Sequence, residues 1–152
     1  PVYAQPLSVG GEVIIVDIYG GGWSLSFSAE RFLLTEKWQP ETWQPVFSAP
    51  VYHEPSSSFY WGSHDTKLRR FKDGAIQAEE IGAIILAPPL ILPARGELCV
   101  CTTAGKVVFM NLETLRITRT VQLPGEIFCG PRATNNKVVV GCRDSKVHIL
   151  NY

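Results

Sequence analysis

Short apolar segments alternate with turn-forming residues along this chain, and the same order of segments occurs four times. Each repeat has a proline and a short strand-like segment, then a loop, a strongly apolar segment, a tight turn and another β-branched segment. The strongly apolar segments are rich in Val, Ile, Cys and aromatic residues, which is typical of strands that are buried on both faces. They are the second predicted strands of the repeats and span residues 12–19, 58–64, 97–103 and 137–143.

The turn that joins the second and third predicted strands, called the central turn below, consists of residues that accept tight-turn geometry. The central turns are Gly20–Gly22, His64–Thr66, Ala104–Gly105 and Asp144–Ser145. Third strands are predicted at 23–27, 67–71, 106–110 and 146–150, and fourth strands at 31–39, 75–82 and 116–124. The last repeat reaches Tyr152 without a fourth strand, and little helix is predicted.

The prolines that open the repeats, Pro6, Pro50, Pro88 and Pro131, lie 44, 38 and 43 residues apart. A period of about 40 to 50 residues is typical of four-stranded propeller blades. The chain is therefore predicted to be all-β, a partial β-propeller of four-stranded antiparallel blades with about three complete blades and an incomplete fourth. The predicted repeats cover about 1–47, 48–85, 86–127 and 128–152 of a single domain.

Such an arc of blades leaves strand edges and apolar blade faces uncovered, since closed propellers typically have about four to eight blades. The chain also starts at Pro1 rather than at Met. We therefore expect it either to be a fragment of a longer chain that completes the propeller or to associate. The isolated chain is predicted to be oligomeric or prone to aggregation.

Composition and charge narrow the possible partners. Of the 152 residues, 45% are hydrophobic, and fourteen basic residues balance fourteen acidic ones, so that the formal charge is +0. A chain without net charge is not drawn to polyanions or to anionic membrane surfaces, so no nucleic acid and no membrane is expected as a partner. The most apolar run begins at Ile81, is broken by three prolines, and is shorter than the ~20 residues that span a bilayer.

The four cysteines are predicted to be free thiols in a reducing compartment, which favours a cytoplasmic location. They are Cys99, Cys101, Cys129 and Cys142. Cys99 and Cys101 lie two residues apart on one predicted strand face, which is not the spacing of a structural zinc site. No metal site is predicted.

Residues 141–150, with the sequence GCRDSKVHIL, contain most of the side chains that are used in nucleophilic catalysis. The equivalent turns of the other repeats contain Gly, Asp-Thr or Ala-Gly, so we interpret Asp144 and Ser145 as turn residues. Strand alternation predicts that His148 lies on the opposite face from Val147 and Ile149. We therefore assign no catalytic, cofactor-binding or metal-binding residue in this chain.

The other polar candidates are also interpreted as structural. His53 and His64 are predicted to face solvent in a loop and a turn, rather than to bind metal or to transfer protons. Glu79 and Glu80 are sequence neighbours, so they are predicted to point to opposite faces and not to form a carboxylate dyad. A solvated strand face, rather than a nucleic-acid patch, is predicted for the basic run Lys67, Arg69, Arg70 and Lys72.

Two stretches carry a family resemblance. LPGEIF at Leu123–Phe128, followed by Pro131 and by VVVGCRDSKVHIL, resembles the C-terminal repeat of the beta-alanine-activating enzymes, also called the 2-aminoadipic 6-semialdehyde dehydrogenase or acyl-CoA synthetase family member 4 group. The segment Ala104–Gln122 resembles the preceding repeat of the same propeller. More broadly, the repeats resemble the PQQ-like repeats of the quinoprotein alcohol dehydrogenase-like propellers.

The resemblance implies a multidomain parent enzyme that uses ATP and magnesium to activate beta-alanine and that loads it on a phosphopantetheine carrier. This chain contains only propeller repeats, and the run Gly20–Gly22 leads into a strand rather than into a phosphate-binding helix. We therefore expect a non-catalytic propeller that docks other domains of its parent chain or a partner protein. The natural acceptor of the activated amino acid is not predicted.

The alternative is a redox propeller that uses the quinone cofactor PQQ. The resemblance to that superfamily would require adjacent cysteines, which are absent, and a docking turn that here reads Thr114-Leu115-Arg116, with Arg119 near the place of the family's Trp. Trp38 and Trp43 are predicted to pack in loops and outer strands. We therefore expect no cofactor in this chain.

Overall fold

The computed structural model describes residues 1–28, 30–40 and 44–152, and its regular structure is almost entirely antiparallel β-sheet. Three sheets have four strands and the last has three, and strands that are consecutive in sequence are neighbours in every sheet. The only helical elements of the described chain are two short 3-10 turns, Glu54–Ser56 and Pro93–Arg95. Trp43, for which packing was predicted, lies outside the described residues.

The strands are numbered in chain order. Blade one contains β1 (Leu7–Val9), β2 (Glu12–Val16), β3 (Gly22–Ser28) and β4 (Arg31–Trp38). Blade two contains β5 (Val51–His53), β6 (Ser58–Gly62), β7 (Lys67–Lys72) and β8 (Ala75–Glu80). Blade three contains β9 (Leu90–Leu92), β10 (Glu97–Cys101), β11 (Lys106–Asn111) and β12 (Ile117–Gln122). Blade four contains β13 (Arg132–Thr134), β14 (Lys137–Cys142) and β15 (Lys146–Asn151).

Each central turn contains a residue at positive φ, which Gly adopts freely but which is uncommon for a β-branched residue such as Thr66. Thr66 and Ser145 have φ angles of 68° and 64°, and Gly105 has a φ of 77° in the equivalent place of blade three. At Gly105 a Cβ atom would also stand 2.5 Å from the carbonyl oxygen of Gly125, so the lack of a side chain is required by space as well as by φ. The interpretation of Asp144 and Ser145 as turn residues is confirmed.

Hydrophobic cores lie between consecutive blades, where the face of one sheet packs on the face of the next. The core between blades one and two contains Ile14, Val16, Trp38, Val46 and Trp61. The core between blades two and three includes Tyr60, Leu68, Leu98, Val100, Val108 and Met110. The core between blades three and four includes Cys99, Cys101, Phe109, Val138 and Val140. Because the central blades use both faces in this way, their second strands are buried on both sides.

The first strands line the inner side of the arc. Strand β9 contacts β5 of the blade before it and β13 of the blade after it. Four sheets that pack face to face in sequence order, each with its first strand innermost, form a partial β-propeller. The predicted fold class is confirmed, including three four-stranded blades and a three-stranded fourth.

No helix in the described part of the chain combines the length and the apolar character that crossing a membrane requires.

Candidate functional site

In every blade, the central turn brings two side chains together on one face of the sheet. One belongs to the residue at the start of the turn, and the other belongs to a residue in the third strand. In blades one to three, the residue that directly follows the second strand donates its backbone N–H to the carbonyl oxygen four residues on: Asp17 to Gly21, Ser63 to Lys67, and Thr102 to Lys106. In blade four, Cys142 pairs with Lys146 in the β14–β15 ladder. Two residues further along the third strand, on the same face, lie Trp23, Arg69, Val108 and His148.

In blade two this position holds a buried ionic network. The Arg69 guanidinium, only 4% exposed, donates from Nη1 to Asp65 Oδ1 at 2.9 Å and to Ser63 Oγ at 3.1 Å, and from Nη2 to the second Asp65 oxygen. Partial burial alone would raise the pKa of Asp65, but the hydrogen bonds from Arg69 and Ser63 outweigh it and lower that pKa. The network ties the central turn to the third strand.

Arg70, which is 9% exposed, joins blade two to blade three. Its Nη1 atom donates to the Leu112 carbonyl at 3.0 Å and to the carbonyl of Glu113, and Nη2 donates to Gln77. The prediction of a solvated basic face is therefore wrong for Arg69 and Arg70. Arg69 is bonded to a carboxylate and Arg70 to backbone carbonyls, although the buried Nε atom of Arg70 has no hydrogen-bond partner among the described residues. Lys67 and Lys72 are half-buried.

The histidines also differ from the sequence prediction. His53 lies in strand β5 and is half-buried, with Nδ1 2.7 Å from Ser56 Oγ. His64 lies in the central turn of blade two, but its ring packs on Phe47 at a centroid distance of 5.1 Å, and its Nε2 atom is buried without a hydrogen-bond partner among the described residues. The prediction of a solvent-facing ring is wrong for His64, because the segment before blade two covers it, whereas His53 differs from the prediction in lying in a strand and not in a loop.

The central turn of blade four brings together three chemically different side chains. The ligand atoms of Cys142, Asp144 and His148 all lie within 4.8 Å of one another, and His148 Nε2 is 2.8 Å from Asp144 Oδ2. Partial desolvation opposes ionisation of Asp144, but the hydrogen bonds from His148 and Cys142 prevail and lower its pKa. As strand alternation predicts, His148 lies opposite Val147 and Ile149, which are 67% and 62% exposed, but the convergence of the three side chains was not predicted.

A sequence signal for that convergence did exist. A three-residue turn that leaves Cys142 paired with Lys146 places residue 148 on the same sheet face as residue 142, and Asp144 lies in the turn between them. The spacing Cys-x-Asp-x-x-x-His across a hairpin is therefore a candidate ligand set, although no Cys-x-x-Cys pair is present.

The remaining cysteines and aromatic residues serve packing. All four cysteines are free, as predicted. Cys99 and Cys101 are fully buried, and the hydrogen bond between the two thiols together with burial raises the pKa of Cys99 well above its ordinary value. Trp38 stacks on Trp61 at 5.1 Å, and Arg119 lies over the Phe109 ring at 4.1 Å.

The two ends of the arc expose apolar sheet faces. On blade one, Phe27, Phe32 and Leu34 are 54%, 77% and 58% exposed. A crevice of about 210 Å³ on the same blade is lined by Val2, Ile15, Asp17, Trp23 and Leu34. On blade four, Val147 and Ile149 form the corresponding open face. In the interior blades, equivalent faces are covered by the next sheet.

Comparisons with known proteins agree with the propeller architecture. No protein-family model matches the chain. An alignment with the beta-alanine-activating enzyme of Danio rerio has 34% identity over 97 residues, and it covers 59% of this chain and 8% of that protein.

Among solved structures, BamB from Moraxella catarrhalis superposes with a TM-score of 0.75 and 18% identity, over 97% of this chain and 44% of its own. Apo AztD from Citrobacter koseri superposes with a TM-score of 0.72 and 12% identity, and the superposition covers 99% of this chain and 44% of the AztD chain. The computationally designed Ika4 protein superposes with a TM-score of 0.77 and 14% identity, and the superposition covers 99% of this chain and 91% of the Ika4 chain. At these identities the likeness shows the fold alone, and the chain spans less than half of the two natural structures.

Proposed function

We propose that this chain is part of a larger propeller that acts as a non-catalytic scaffold in a multidomain adenylate-forming enzyme. That enzyme would activate beta-alanine with ATP and load it on a phosphopantetheine carrier. The observation that carries the proposal is the 34% identity over 97 residues to the beta-alanine-activating enzyme. Of the two stretches that carry the family resemblance, Leu123–Phe128 lies in the link between blades three and four, and 138–150 lies in blade four.

The exposed end faces support the larger ring. Phe32 on blade one and Ile149 on blade four lie on sheet faces that are apolar like the buried faces of blades two and three. The chain aligns with 44% of the BamB chain and with 44% of the AztD chain. We infer that further blades of the same parent chain, rather than an unrelated partner, cover both faces.

The interior chemistry supports a scaffold role. The buried cations Arg69 and Arg70 are engaged in bonds to the protein itself, and the buried thiols Cys99 and Cys101 have no activating cationic group hydrogen-bonded to them among the described residues. These groups stabilise the packing of blades, so we assign them no catalytic step.

The test uses the full-length parent chain and measures exchange of pyrophosphate into ATP that depends on beta-alanine. We expect exchange both in the full-length enzyme and in a variant that lacks the propeller. Transfer of the activated beta-alanine to a downstream acceptor should be impaired in the variant that lacks the propeller and normal in the full-length enzyme. The isolated chain should show no exchange. A parent without an adenylation domain, or without a beta-alanine requirement, would refute the proposal, as would binding of PQQ together with alcohol oxidation by the propeller.

A further inference from the structure

The central turn of blade four differs from the other described central turns in its chemistry. Cys142 supplies a thiol, Asp144 a carboxylate and His148 an imidazole, and the three ligand atoms lie within 4.8 Å of one another. These three groups are common protein ligands of zinc.

Blade two provides an internal comparison on the same backbone. There, Ser63, Asp65 and Arg69 occupy the equivalent positions, and the guanidinium closes the network by donating to the other two side chains. A guanidinium has no lone pair to donate to a metal. In blade four, Cys142 stands where blade two has Ser63, and His148 stands where blade two has Arg69. The donating cation is therefore absent, and a thiol and an imidazole, which bind metals when deprotonated, are present.

In the described residues of blades one and three, the equivalent positions do not combine a thiol, a carboxylate and an imidazole. In blade one, Trp23 Nε1 donates to Asp17 Oδ2 at 3.0 Å, and no further ligand type is present. In blade three, the positions hold Thr102, Ala104 and Val108. The ligand set is therefore a property of one repeat and not of the blade architecture, which needs only a turn at this place.

The surroundings suit an ion. Arg143, the nearest cation in the sequence, points to Glu126 at 2.7 Å and not into the cluster. The side chains of His148 and Asp144 remain 22% and 13% exposed, which leaves access for an ion and for a water molecule as a further ligand. His148 points away from the open face at Val147 and Ile149, so a blade packed on that face would not cover the cluster.

We propose that Cys142, Asp144 and His148 bind a zinc-like divalent cation, with water completing a tetrahedral site. Sulfur and imidazole ligands favour Zn²⁺ over Mg²⁺ or Ca²⁺. The ion takes the place of the Cys142 thiol proton, which is released to solvent, and the neutral His148 ring binds through Nε2 with its proton on Nδ1. It would fasten the central turn to the third strand, as the Arg69 guanidinium does in blade two. This proposal does not depend on the adenylate-forming parent.

The experiment titrates the metal-free, reduced protein with Co²⁺, followed by displacement with Zn²⁺. We expect a sulfur-to-cobalt charge-transfer absorption, one bound ion per chain, and loss of the absorption when Zn²⁺ is added. The variant that combines Cys142→Ser with His148→Arg recreates the blade-two set, so it should remain folded. It should bind Zn²⁺ at least about 100-fold more weakly, since loss of even outer-shell groups costs about 10- to 100-fold.

Cys129→Ser is the matched control, because Cys129 is an exposed thiol outside the cluster. This variant should keep the charge-transfer absorption and the affinity, with folding of all variants checked by circular dichroism. The proposal is overturned if the wild-type protein shows no sulfur-to-cobalt absorption, if the double variant binds Zn²⁺ as tightly as the wild type, or if Cys129→Ser abolishes binding.

Discussion

Replacing Asp65 with Asn tests whether the buried ionic network stabilises blade two. The substitution keeps the size of the side chain but removes the charge that faces Arg69, whose guanidinium is 4% exposed and 2.9 Å from the Asp65 Oδ1 atom. Removing one partner of a fully buried pair costs about 3–5 kcal/mol. Because the carboxylate is 15% exposed, solvent screens part of the interaction, and we expect a loss of about 2–3 kcal/mol in the free energy of unfolding.

The assay is urea denaturation at neutral pH, followed by tryptophan fluorescence. Asp73→Asn is the matched control, since Asp73 is exposed in a turn with a φ of 49°, which Asn also adopts, and it should change the stability by less than about 0.5 kcal/mol. Combining Asp65→Asn with Arg69→Met should recover most of the loss, because no buried charge is then left unpaired. Equal stabilities of the Asp65→Asn and Asp73→Asn variants would refute the reasoning.

The same network makes a prediction for pH. The pKa of Asp65 is lower in the folded protein than its ordinary value, so the ionised carboxylate stabilises the fold above the unfolded pKa of about 3.9. This contribution should be lost as the pH falls through the folded pKa. The difference in the free energy of unfolding between the wild-type and Asp65→Asn proteins should therefore begin to shrink below about pH 4. A difference that stays constant down to the lowest pH would contradict this prediction.

Three further substitutions test the packing. Tyr60→Phe removes the hydrogen bond from the buried Tyr60 hydroxyl to the Leu112 carbonyl, 3.0 Å long, and should cost about 1 kcal/mol in urea denaturation; an unchanged midpoint would mean that this bond between blades contributes nothing. Gly62→Ala places a Cβ 2.1 Å from the Cγ2 atom and 2.4 Å from the Cβ atom of Ile85, so it should cost about 1–3 kcal/mol; a neutral effect would contradict the tight packing. Ile149→Lys on the open face should reduce self-association in light scattering while unfolding changes by less than about 0.5 kcal/mol, and persistent association would assign it to another surface.

The strands and turns were predictable because they depend on local sequence. Apolar strand segments such as Glu97–Cys101 lie where the pattern places them, and each predicted central turn contains a residue at positive φ, such as Ser145. Hairpins are formed by residues close in sequence, so the alternation of side chains and the turn chemistry largely determine them. The repeat spacing then predicts the stacking of blades.

The environment of individual polar side chains was not predictable in the same way. The carbonyl that receives the hydrogen bond of Arg70 belongs to Leu112, 42 residues away in the next blade. The cover over the His64 ring comes from Phe47 in the segment that joins blades one and two. A run of basic residues has the same sequence pattern whether its charges meet water or distant carbonyls, and only blade packing distinguishes the two.

The sequence by itself therefore determined the all-β repeat, its central turns and the face to which His148 points, because period-two alternation and turn residues act over a few positions. Tertiary structure decided which polar groups are buried and which converge. The equivalent turns of blades two and four share a backbone, yet one closes around Arg69 and the other leaves Cys142, Asp144 and His148 facing one another. That difference arises from side chains meeting across a hairpin and across blades, where register and packing set the distances.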